Sequence, residues 1–384
     1  MKAQEQELLK KNWEDLLKFG PRFMGTKGEE KAVDYLCSQL QEQMLSPSIQ
    51  EFNYQGWTIN NDKITLSIEH KAKTRHLTAC ALLGSGSTEN GFIEGKLVYL
   101  GSTVIWNMYS WVRFGIVDNN ENIIGYVSGR PDGNAISQTL AEGNSSLPHF
   151  TIGEEDTKGL IDLISQEEEV IAKGFIQTKE VGEAKGKNII VRFPSQSIDA
   201  RKLIVCAHYD TMFNTVGAYD NTSGTAILLA LAYKLKGLSL NKDVELIFMS
   251  GEEWNLAGSS AYVNELTNEE KQKIDLLINI DGIGRGDIFE AWVGPEVTER
   301  EIYSFYNDYS KSNTKKLHIK TPPPPGSDHT PFYNTGIPVC MFTINDQEII
   351  HSSHDVLNEK IYKNMIYSYN LLIGYLNFKK IIGE

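Results

Sequence analysis

The stretch Leu203-Ile204-Val205-Cys206-Ala207-His208-Tyr209-Asp210 places five apolar residues directly before a histidine, a tyrosine and an aspartate. An uninterrupted apolar run of this length predicts a strand that is buried on both faces, as in a parallel sheet covered by helices. Such a strand has no packing use for His208 or Asp210 at its end. In open α/β sheets, functional sites form at the carboxyl ends of the strands. The stretch therefore predicts a buried strand that carries polar side chains to a site.

Three further apolar runs in the same part of the chain are followed by polar residues in the same way. They are Val244–Met249 before Glu252 and Glu253, Leu276–Ile280 before Asp281, and Pro338–Ile344 ahead of His351. Amphipathic helical patterns occur around and between these runs, at Ser223–Leu235, Val297–Tyr309 and Asn358–Leu376. Strands alternating with helices predict a layered α/β domain, in which parallel strands bring their carboxyl ends to one rim.

The remainder of the chain has different sequence patterns. The first 45 or so residues have helical periodicity, and Thr26 with Glu29 forms a capping-box pattern at the start of the second helix. From about Phe52 to Val191, short β-like runs are broken by Gly, Asn and Asp, with one helical segment at Thr157–Ser165. We therefore expect one domain built from residues 1–55 and 188–384, interrupted by a β-rich insertion at 56–187.

Composition excludes several classes of protein. The 384 residues carry a net charge of -13, which argues against a nucleic-acid partner or an anionic membrane. No apolar run approaches the ~20 residues that span a bilayer, and the N-terminus lacks the apolar core of a signal peptide. The sequence thus predicts a cytoplasmic protein.

The cysteines and four of the histidines are expected to have no functional role. The four cysteines are scattered and form no CxxC pair, so a thiolate zinc site is not predicted. Cys206 and Cys340 lie in apolar runs and are expected to be buried free thiols. The histidines expected at the surface are His70, His76, His149 and His318.

The polar residues near the strand ends suggest a metal site. Zinc binds imidazole nitrogen and carboxylate oxygen, and a catalytic ion needs about three protein ligands. Five candidates therefore fit two ions that share one carboxylate; they are His208, Asp220, Glu253, Asp281 and His351. Two divalent cations, three carboxylates and a bridging hydroxide would form a neutral cluster, which a partly dry cleft can hold. We expect two divalent ions, with zinc as the first choice over cobalt or manganese.

Two more acidic residues are candidates for supporting roles. Glu252 precedes a proposed ligand and is free to act as the general base that takes a proton from water and passes it to a leaving amine. Asp210 follows His208 by two residues, which suits a carboxylate that holds the imidazole by its other nitrogen.

The motifs in their order along the chain resemble the M28 family of co-catalytic zinc aminopeptidases. The motifs that carry the resemblance are His208-x-Asp210, Asp220-Asn221-x-Ser223-Gly224, Gly251-Glu252-Glu253, Asn279-Ile280-Asp281 and His351-x-x-x-Asp355. Further similar stretches are Met24–Glu29, Leu256–Ser259 and Gly326–Phe332. The similarity covers roughly Asn188 to Leu376 and the N-terminal helices.

This resemblance implies a fold and a site. The fold is a three-layer α/β sandwich around a mixed sheet of the zinc exopeptidase type, and the β-rich segment is similar in position to a protease-associated or lid domain. Asp220 would bridge the two ions, one of which would add His208 and Asp281. The other ion would add Glu253 and His351.

The resemblance also assigns three finer features. Glu252 matches the general base of the family, and the bond between Asp220 and Asn221 matches a position where relatives have a cis peptide. The family spacing selects His351 rather than His354 as the ligand, and gives Asp355 an orienting role.

The function implied is an exopeptidase that removes the N-terminal residue from peptides. Three alternatives stay open at this point. The first is another two-metal amide hydrolase, such as a dipeptidase, carboxypeptidase or aminoacylase, in which His208 and Asp220 would usually lie further apart than 12 residues. The second is a glutaminyl cyclase, which uses one zinc. The third is a binding protein on a peptidase scaffold.

Overall fold

The computed structural model describes residues 1–60, 63–89, 91–105, 109–139, 146–195, 201–309 and 315–383. The chain divides into two compact units. The first consists of Met1–Tyr54, Ala184–Gln347 and Asp355–Glu384, and the second of Gln55–Glu183 and Glu348–His354. The grouping of Glu348–His354 with the second unit was not indicated by the sequence pattern.

The helices and strands follow one another along both units. In chain order they are α1 (Ala3–Leu17), α2 (Lys27–Glu42), β1 (Ser48–Ile59), β2 (Thr65–His70), β3 (Lys73–Leu77), β4 (Ala79–Ala81), β5 (Ile93–Ile105), β6 (Tyr109–Val117), β7 (Ile123–Gly129), β8 (His149–Ile152), α3 (Glu154–Ser165), β9 (Ile171–Phe175), β10 (Thr178–Phe193), β11 (Lys202–His208), α4 (Thr222–Leu235), β12 (Asp243–Met249), α5 (Ala257–Glu265), α6 (Asn268–Gln272), β13 (Ile274–Ile283), β14 (Ile288–Gly294), α7 (Glu296–Tyr309), β15 (Lys316–Lys320), α8 (His329–Asn334), β16 (Val339–Ile344) and α9 (Glu359–Phe378).

The sheet of the first unit has eight strands in the order β1-β10-β12-β11-β13-β16-β14-β15. The four strands predicted from apolar runs lie side by side as β12, β11, β13 and β16, and each neighbouring pair is parallel. β10 and β14 run antiparallel to this group, at β12 and β16 respectively. The predicted mixed α/β fold is therefore confirmed. The four central strands also end at the same rim, because parallel neighbours point their carboxyl ends in one direction.

Helices pack against this sheet in two groups. α4 packs on β11 and β13 and contacts α1, α2 and α9, while α8 packs on β13 and β16 and contacts α5. α4 is buried along almost its whole length, as expected of a helix that is apolar on every side. Asn221 caps it by accepting a hydrogen bond from the Gly224 N–H at 2.9 Å, so the helix begins directly after the Asp220 turn.

The start of α2 departs from the capping box predicted from Thr26 and Glu29. Thr26 accepts a hydrogen bond from the Glu29 N–H, as a cap should. The Glu29 carboxylate, however, accepts from the N–H of Gly25 at 2.6 Å instead of the N–H of Thr26. Half of the motif is thus present, and the Glu29 side chain is turned into the protein.

The second unit contains an eight-stranded sheet in the order β3-β2-β9-β5-β6-β7-β8-β4, together with α3. One expectation for this unit is wrong: His149 is fully buried rather than exposed. The side chain lies 2.6 Å from the Ser128 hydroxyl through Nε2. Burial and the Arg113 guanidinium together lower the pKa of His149 to about 3, so the ring is neutral.

Cys206 and Cys340 are buried free thiols, as predicted. Among the described residues, no helix has both the length and the apolar character needed to cross a lipid bilayer.

Candidate metal centre

His208 is the centre of a group of carboxylates at the rim of the first unit's sheet. Its Nε2 atom lies 3.2 Å from Asp220 Oδ1, 3.1 Å from Asp281 Oδ1 and 4.0 Å from Glu252 Oε2. His208 ends β11 and Asp281 lies near the end of the neighbouring β13, so the parallel register brings them together. Asp220 comes from the turn before α4, and Glu252 from the turn after β12.

Two overlapping sets of residues could each hold an ion. His208, Glu252 and Asp281 offer ligand atoms within 4.8 Å of one another, and so do His208, Asp220 and Glu253. The structure therefore brings together four of the five ligands predicted from the sequence, and it places Glu252, predicted as the base, beside them. All of these side chains are buried or nearly so.

The donor atoms fit a divalent cation. Ligands about 2.0–2.1 Å from a tetrahedral zinc ion lie roughly 3.3–3.4 Å from one another. The distances from His208 Nε2 to the two aspartate oxygens are 3.1 and 3.2 Å, close to that separation. Nitrogen from one imidazole and oxygen from several carboxylates is the donor set that zinc accepts in catalytic sites. The residues present thus match the ion that the sequence motifs imply.

The electrostatics also favour a bound cation. Burial alone would lower the pKa of His208, but the carboxylates of Asp281 and Glu252 outweigh it and raise the pKa well above its ordinary value. Burial raises the pKa of Glu252 well above the usual range, His208 opposes this, and the carboxylates of Asp281 and Glu253 add to it. Several acids crowded in a buried place are costly unless positive charge accompanies them.

Asp210 connects His208 to the turn that carries both glutamates. Its Oδ1 accepts a hydrogen bond from the Glu252 N–H at 3.3 Å and its Oδ2 accepts from the Glu253 N–H at 3.2 Å. Nδ1 of His208 lies 3.2 Å from the Asp210 backbone oxygen and 3.5 Å from Oδ1. The Asp210 carboxylate is therefore slightly closer to the backbone of the turn than to the ring, and the Asp210 backbone oxygen also contacts the ring.

Asp355 lies beside the Asp220 turn. Its Oδ1 accepts from the Tyr219 N–H at 2.6 Å, and its Oδ2 accepts from the Asp220 N–H at 3.0 Å. The Asp220–Asn221 peptide bond is cis.

His351 and His354 differ sharply in exposure. His351 is 7% exposed, whereas His354 is exposed to solvent. Both belong to the segment that groups with the second unit. The Nδ1 atom of His351 lies 3.1 Å from the Ser137 carbonyl oxygen in that unit, which is a typical partner for the second nitrogen of a ligating histidine. His351 as a ligand remains a prediction.

Two side chains that support Asp281 were not identified from the sequence. Ser327 donates a hydrogen bond to Asp281 Oδ2, and the other oxygen, Oδ1, is the one that lies 3.1 Å from His208 Nε2. Asn279 in turn donates to the Ser327 hydroxyl at 2.7 Å. Both residues lie within motifs quoted above, but their spacing alone did not indicate which atom they would contact.

A third overlooked residue is Arg22, which is buried between the loops that carry the candidate ligands. Its guanidinium donates to the backbone oxygens of Tyr209 at 2.8 Å and Val216 at 3.0 Å, and to the Thr222 hydroxyl at 2.6 Å. Burial lowers the pKa of Arg22 to about 10, and Asp210 and Asp355 oppose the shift, so the group stays charged at neutral pH. The only sequence signal was a lone arginine in the loop between two N-terminal helices.

Trp254, next to the glutamates, is a packing residue. Its ring is buried and meets Phe23 edge-to-face at a centroid distance of 5.8 Å, and Phe23 meets Phe213 in the same way at 6.0 Å.

Comparison with known proteins gives one family and several relatives. Residues 188–375 match the model of peptidase family M28. Aminopeptidase YwaD of Bacillus subtilis (strain 168) is 23% identical over 354 residues, which are 86% of this chain and 73% of that protein. Leupeptin-inactivating enzyme 1 of Streptomyces exfoliatus is 34% identical over 173 residues, covering 44% of this chain and 39% of that protein. The solved structure of a zinc aminopeptidase from Bacillus subtilis has the same fold, with a TM-score of 0.71, 18% identity and coverage of 99% of this chain and 98% of that chain.

Proposed function

We propose that this chain, which belongs to peptidase family M28, is a zinc-dependent aminopeptidase that removes the N-terminal residue from peptides. The observation that carries the proposal is the placement of His208 Nε2 at 3.1 Å from Asp281 Oδ1 and 3.2 Å from Asp220 Oδ1, with Glu252 alongside. The names of the relatives, aminopeptidase and zinc aminopeptidase, support the same activity.

The ligands would divide into two sets that share Asp220. His208 and Asp281 would hold one ion with Asp220, and Glu253 and His351 would hold the other. The first set is supported by the short distances at His208, and the second by the grouping of Asp220 with Glu253. When bound, a pair of divalent ions acidifies the attacking water and polarises the scissile carbonyl.

Glu252 serves as the general base and then as the general acid. Its carboxylate takes the proton of the attacking water and delivers it to the departing amine. Its backbone N–H is held by Asp210, and its Oε2 lies 4.0 Å from His208 Nε2, so the carboxylate lies beside the proposed ligands. Asp355 and Ser327 orient the ligands Asp220 and Asp281 through the hydrogen bonds described above.

The test uses the whole chain loaded with zinc. We expect about two zinc ions per chain and hydrolysis of aminoacyl p-nitroanilides, with no cleavage when the substrate amine is acetylated. Glu252→Gln is expected to retain zinc and to lose kcat by ~10²–10⁴-fold, the range for a general base. Glu265→Gln, an exposed glutamate on α5, is the matched control with unchanged kcat.

The alternatives give different results in the same assays. Equal cleavage of acetylated substrates would indicate another amide hydrolase, and one zinc with cyclisation of glutaminyl peptides would indicate a glutaminyl cyclase. Unchanged kcat in Glu252→Gln would remove Glu252 as the base.

A further inference from the structure

Glu29 is a buried acid that the proposed chemistry does not use. It lies in the first turn of α2 and is 7% exposed. Its Oε1 accepts a hydrogen bond from the Ser250 hydroxyl at 2.7 Å, and its Oε2 accepts from the Gly25 N–H at 2.6 Å. Ser250 follows Glu29 by 221 residues, so the contact is one of tertiary structure and not of local capping.

Ser250 begins the turn that carries Glu252. Its N–H donates to Asn188 Oδ1 at 3.0 Å, which fixes the backbone of the turn at its first residue. Gly251 has a φ of +70°, and a Cβ at this position would overlap the Met24 sulfur. The first half of the turn is therefore in contact with the N-terminal segment, through Met24 and Glu29.

The second half of the turn is held by a different residue. Asp210 accepts the backbone N–H groups of Glu252 and Glu253. At the first residue of the turn, Asn188 holds the Ser250 backbone. Glu29 adds a second attachment at the same point, because it also fixes the Ser250 side chain where the turn leaves β12.

We propose that Glu29 is a positioning residue for Glu252. By holding Ser250, Glu29 keeps the Glu252 carboxylate at a fixed position relative to the proposed metal ligands. The inference rests on the proposed function. Glu29 does not touch the substrate or the ions, and it acts through the Ser250–Glu253 turn.

A carboxyl group suits this role because its two oxygens can accept separate hydrogen bonds. Glu29 accepts two short bonds, and the Tyr209 hydroxyl, at 3.5 Å from Oε1, lies on the same side. Helix capping alone does not require this acid, because Thr26 already accepts the Glu29 N–H.

The experiment compares the steady-state kinetics and zinc content of five full-length, zinc-loaded variants with those of the wild-type chain. Glu29→Ala is expected to lower kcat by ~10–100-fold, since a displacement of about 1 Å can cost a factor of this size. KM and zinc content should stay at the wild-type values. Glu29→Gln, whose amide oxygen can still accept from Ser250, should recover most of the lost kcat.

Ser250→Ala tests whether Glu29 acts on Glu252 through Ser250. It is expected to lower kcat to the same extent as Glu29→Ala, and combining the two substitutions should cost no more than either one alone, because both remove one interaction. The Ser250→Ala variant also keeps the test valid if Glu29→Ala does not fold.

Glu5 provides the matched control. It is a buried acid in the first turn of α1, 6% exposed, which accepts from the Lys2 N–H at 2.7 Å. Glu5→Ala is expected to lower Tm and to leave kcat unchanged.

Three results would overturn the inference. One is an unchanged kcat in Ser250→Ala or in a folded Glu29→Ala. Another is loss of zinc from Glu29→Ala, which would place its effect at the ligands. The third is a fall in kcat in Glu5→Ala equal to that in Glu29→Ala. If the wild-type chain hydrolyses no aminoacyl substrate, the proposed function itself fails and the inference fails with it.

Discussion

The side-chain amide of Asn221 is hydrogen-bonded to the peptide groups on both sides of Asp281. Its Nδ2 donates to the Ile280 carbonyl oxygen at 2.9 Å, and its Oδ1 accepts from the Gly282 N–H at 3.2 Å. Asn221 directly follows Asp220, so one side chain ties the turn of one proposed ligand to the strand of another. The two carboxylates keep a fixed separation as a result.

Asn221→Ala is expected to weaken zinc binding by about 10–100-fold, the usual effect of removing a residue that orients metal ligands. The reason is that the Asn221 side chain connects the Asp220 turn to the strand that carries Asp281, and the substitution removes this connection. Competition with a chelator of known affinity measures the change. Asn364→Ala is the control, because Asn364 of α9 is also buried and donates to the backbone oxygens of Gly284 at 2.7 Å and Gly286 at 3.0 Å. Zinc affinity that falls equally in both variants would contradict the prediction.

Asp355→Asn is expected to reduce zinc affinity while preserving the size of the side chain. An amide presents an N–H₂ group in place of one carboxylate oxygen, so it cannot accept from both Tyr219 and Asp220 as Asp355 does. One backbone N–H is then left buried without its partner, at a cost of about 1–3 kcal/mol. Zinc content after dialysis and the free energy of unfolding should both fall.

Asp346→Asn is the matched control for Asp355. Asp346 is buried and pairs with the Arg285 guanidinium at 2.6 and 2.9 Å. Its replacement should lower stability and leave the zinc content at the wild-type level. If Asp355→Asn binds zinc as tightly as Asp346→Asn, then Asp355 does not orient the Asp220 turn.

Glu29 should make the chain less stable as pH rises through neutrality. Burial raises its pKa to about 7, although Ser250 and Gly25 oppose the shift. Between pH 4.5 and 7 the folded chain then binds more protons at Glu29 than the unfolded chain does, so the free energy of unfolding falls as pH increases. The fall is roughly 3 kcal/mol over this window. Glu29→Gln should lack this part of the pH dependence, which urea unfolding curves at pH 4.5 and 7.5 measure. An equal change in the free energy of unfolding between the two pH values in both chains would refute the prediction.

His149 should have the opposite effect. Its pKa is lowered to about 3 by burial, with Arg113 adding to the shift, so between pH 3 and 6.5 the unfolded chain binds the extra proton. The free energy of unfolding therefore falls as the solution becomes more acidic. From pH 7 to pH 5 we expect a loss of ~2 kcal/mol relative to His149→Gln. Equal acid sensitivity of the two chains would show that His149 is already protonated when folded.

The central strands could be predicted because their signal is local. β11, β12, β13 and β16 are each a short apolar run, and the polar residues that follow them mark the rim. β14 and β15 were missed for a physical reason. β14 has a charged residue, Glu290, within it, and β15 alternates lysine or histidine with apolar residues at the edge of the sheet.

The supports of the site could not be predicted, because they depend on contacts between distant parts of the chain. Arg22 contacts Tyr209 across 187 residues, and Glu29 contacts Ser250 across 221. Nothing near Arg22 or Glu29 in the sequence specifies these partners. His149 was misjudged for the same reason, since its burial is set by the sheet around it and not by its neighbours in sequence.

The hydrogen bonds from Asp355 to the Asp220 turn have a consequence for biosynthesis. Asp355 follows Asp220 by 135 residues, so a nascent chain on the ribosome has the turn long before it has the residue that holds it. Compact units fold as they emerge, but the hydrogen bonds from this turn to Asp355 can form only after residue 355 has left the exit tunnel. If Asp220 binds the cation as proposed, chains stalled before residue 355 should retain it less tightly than the 384-residue chain.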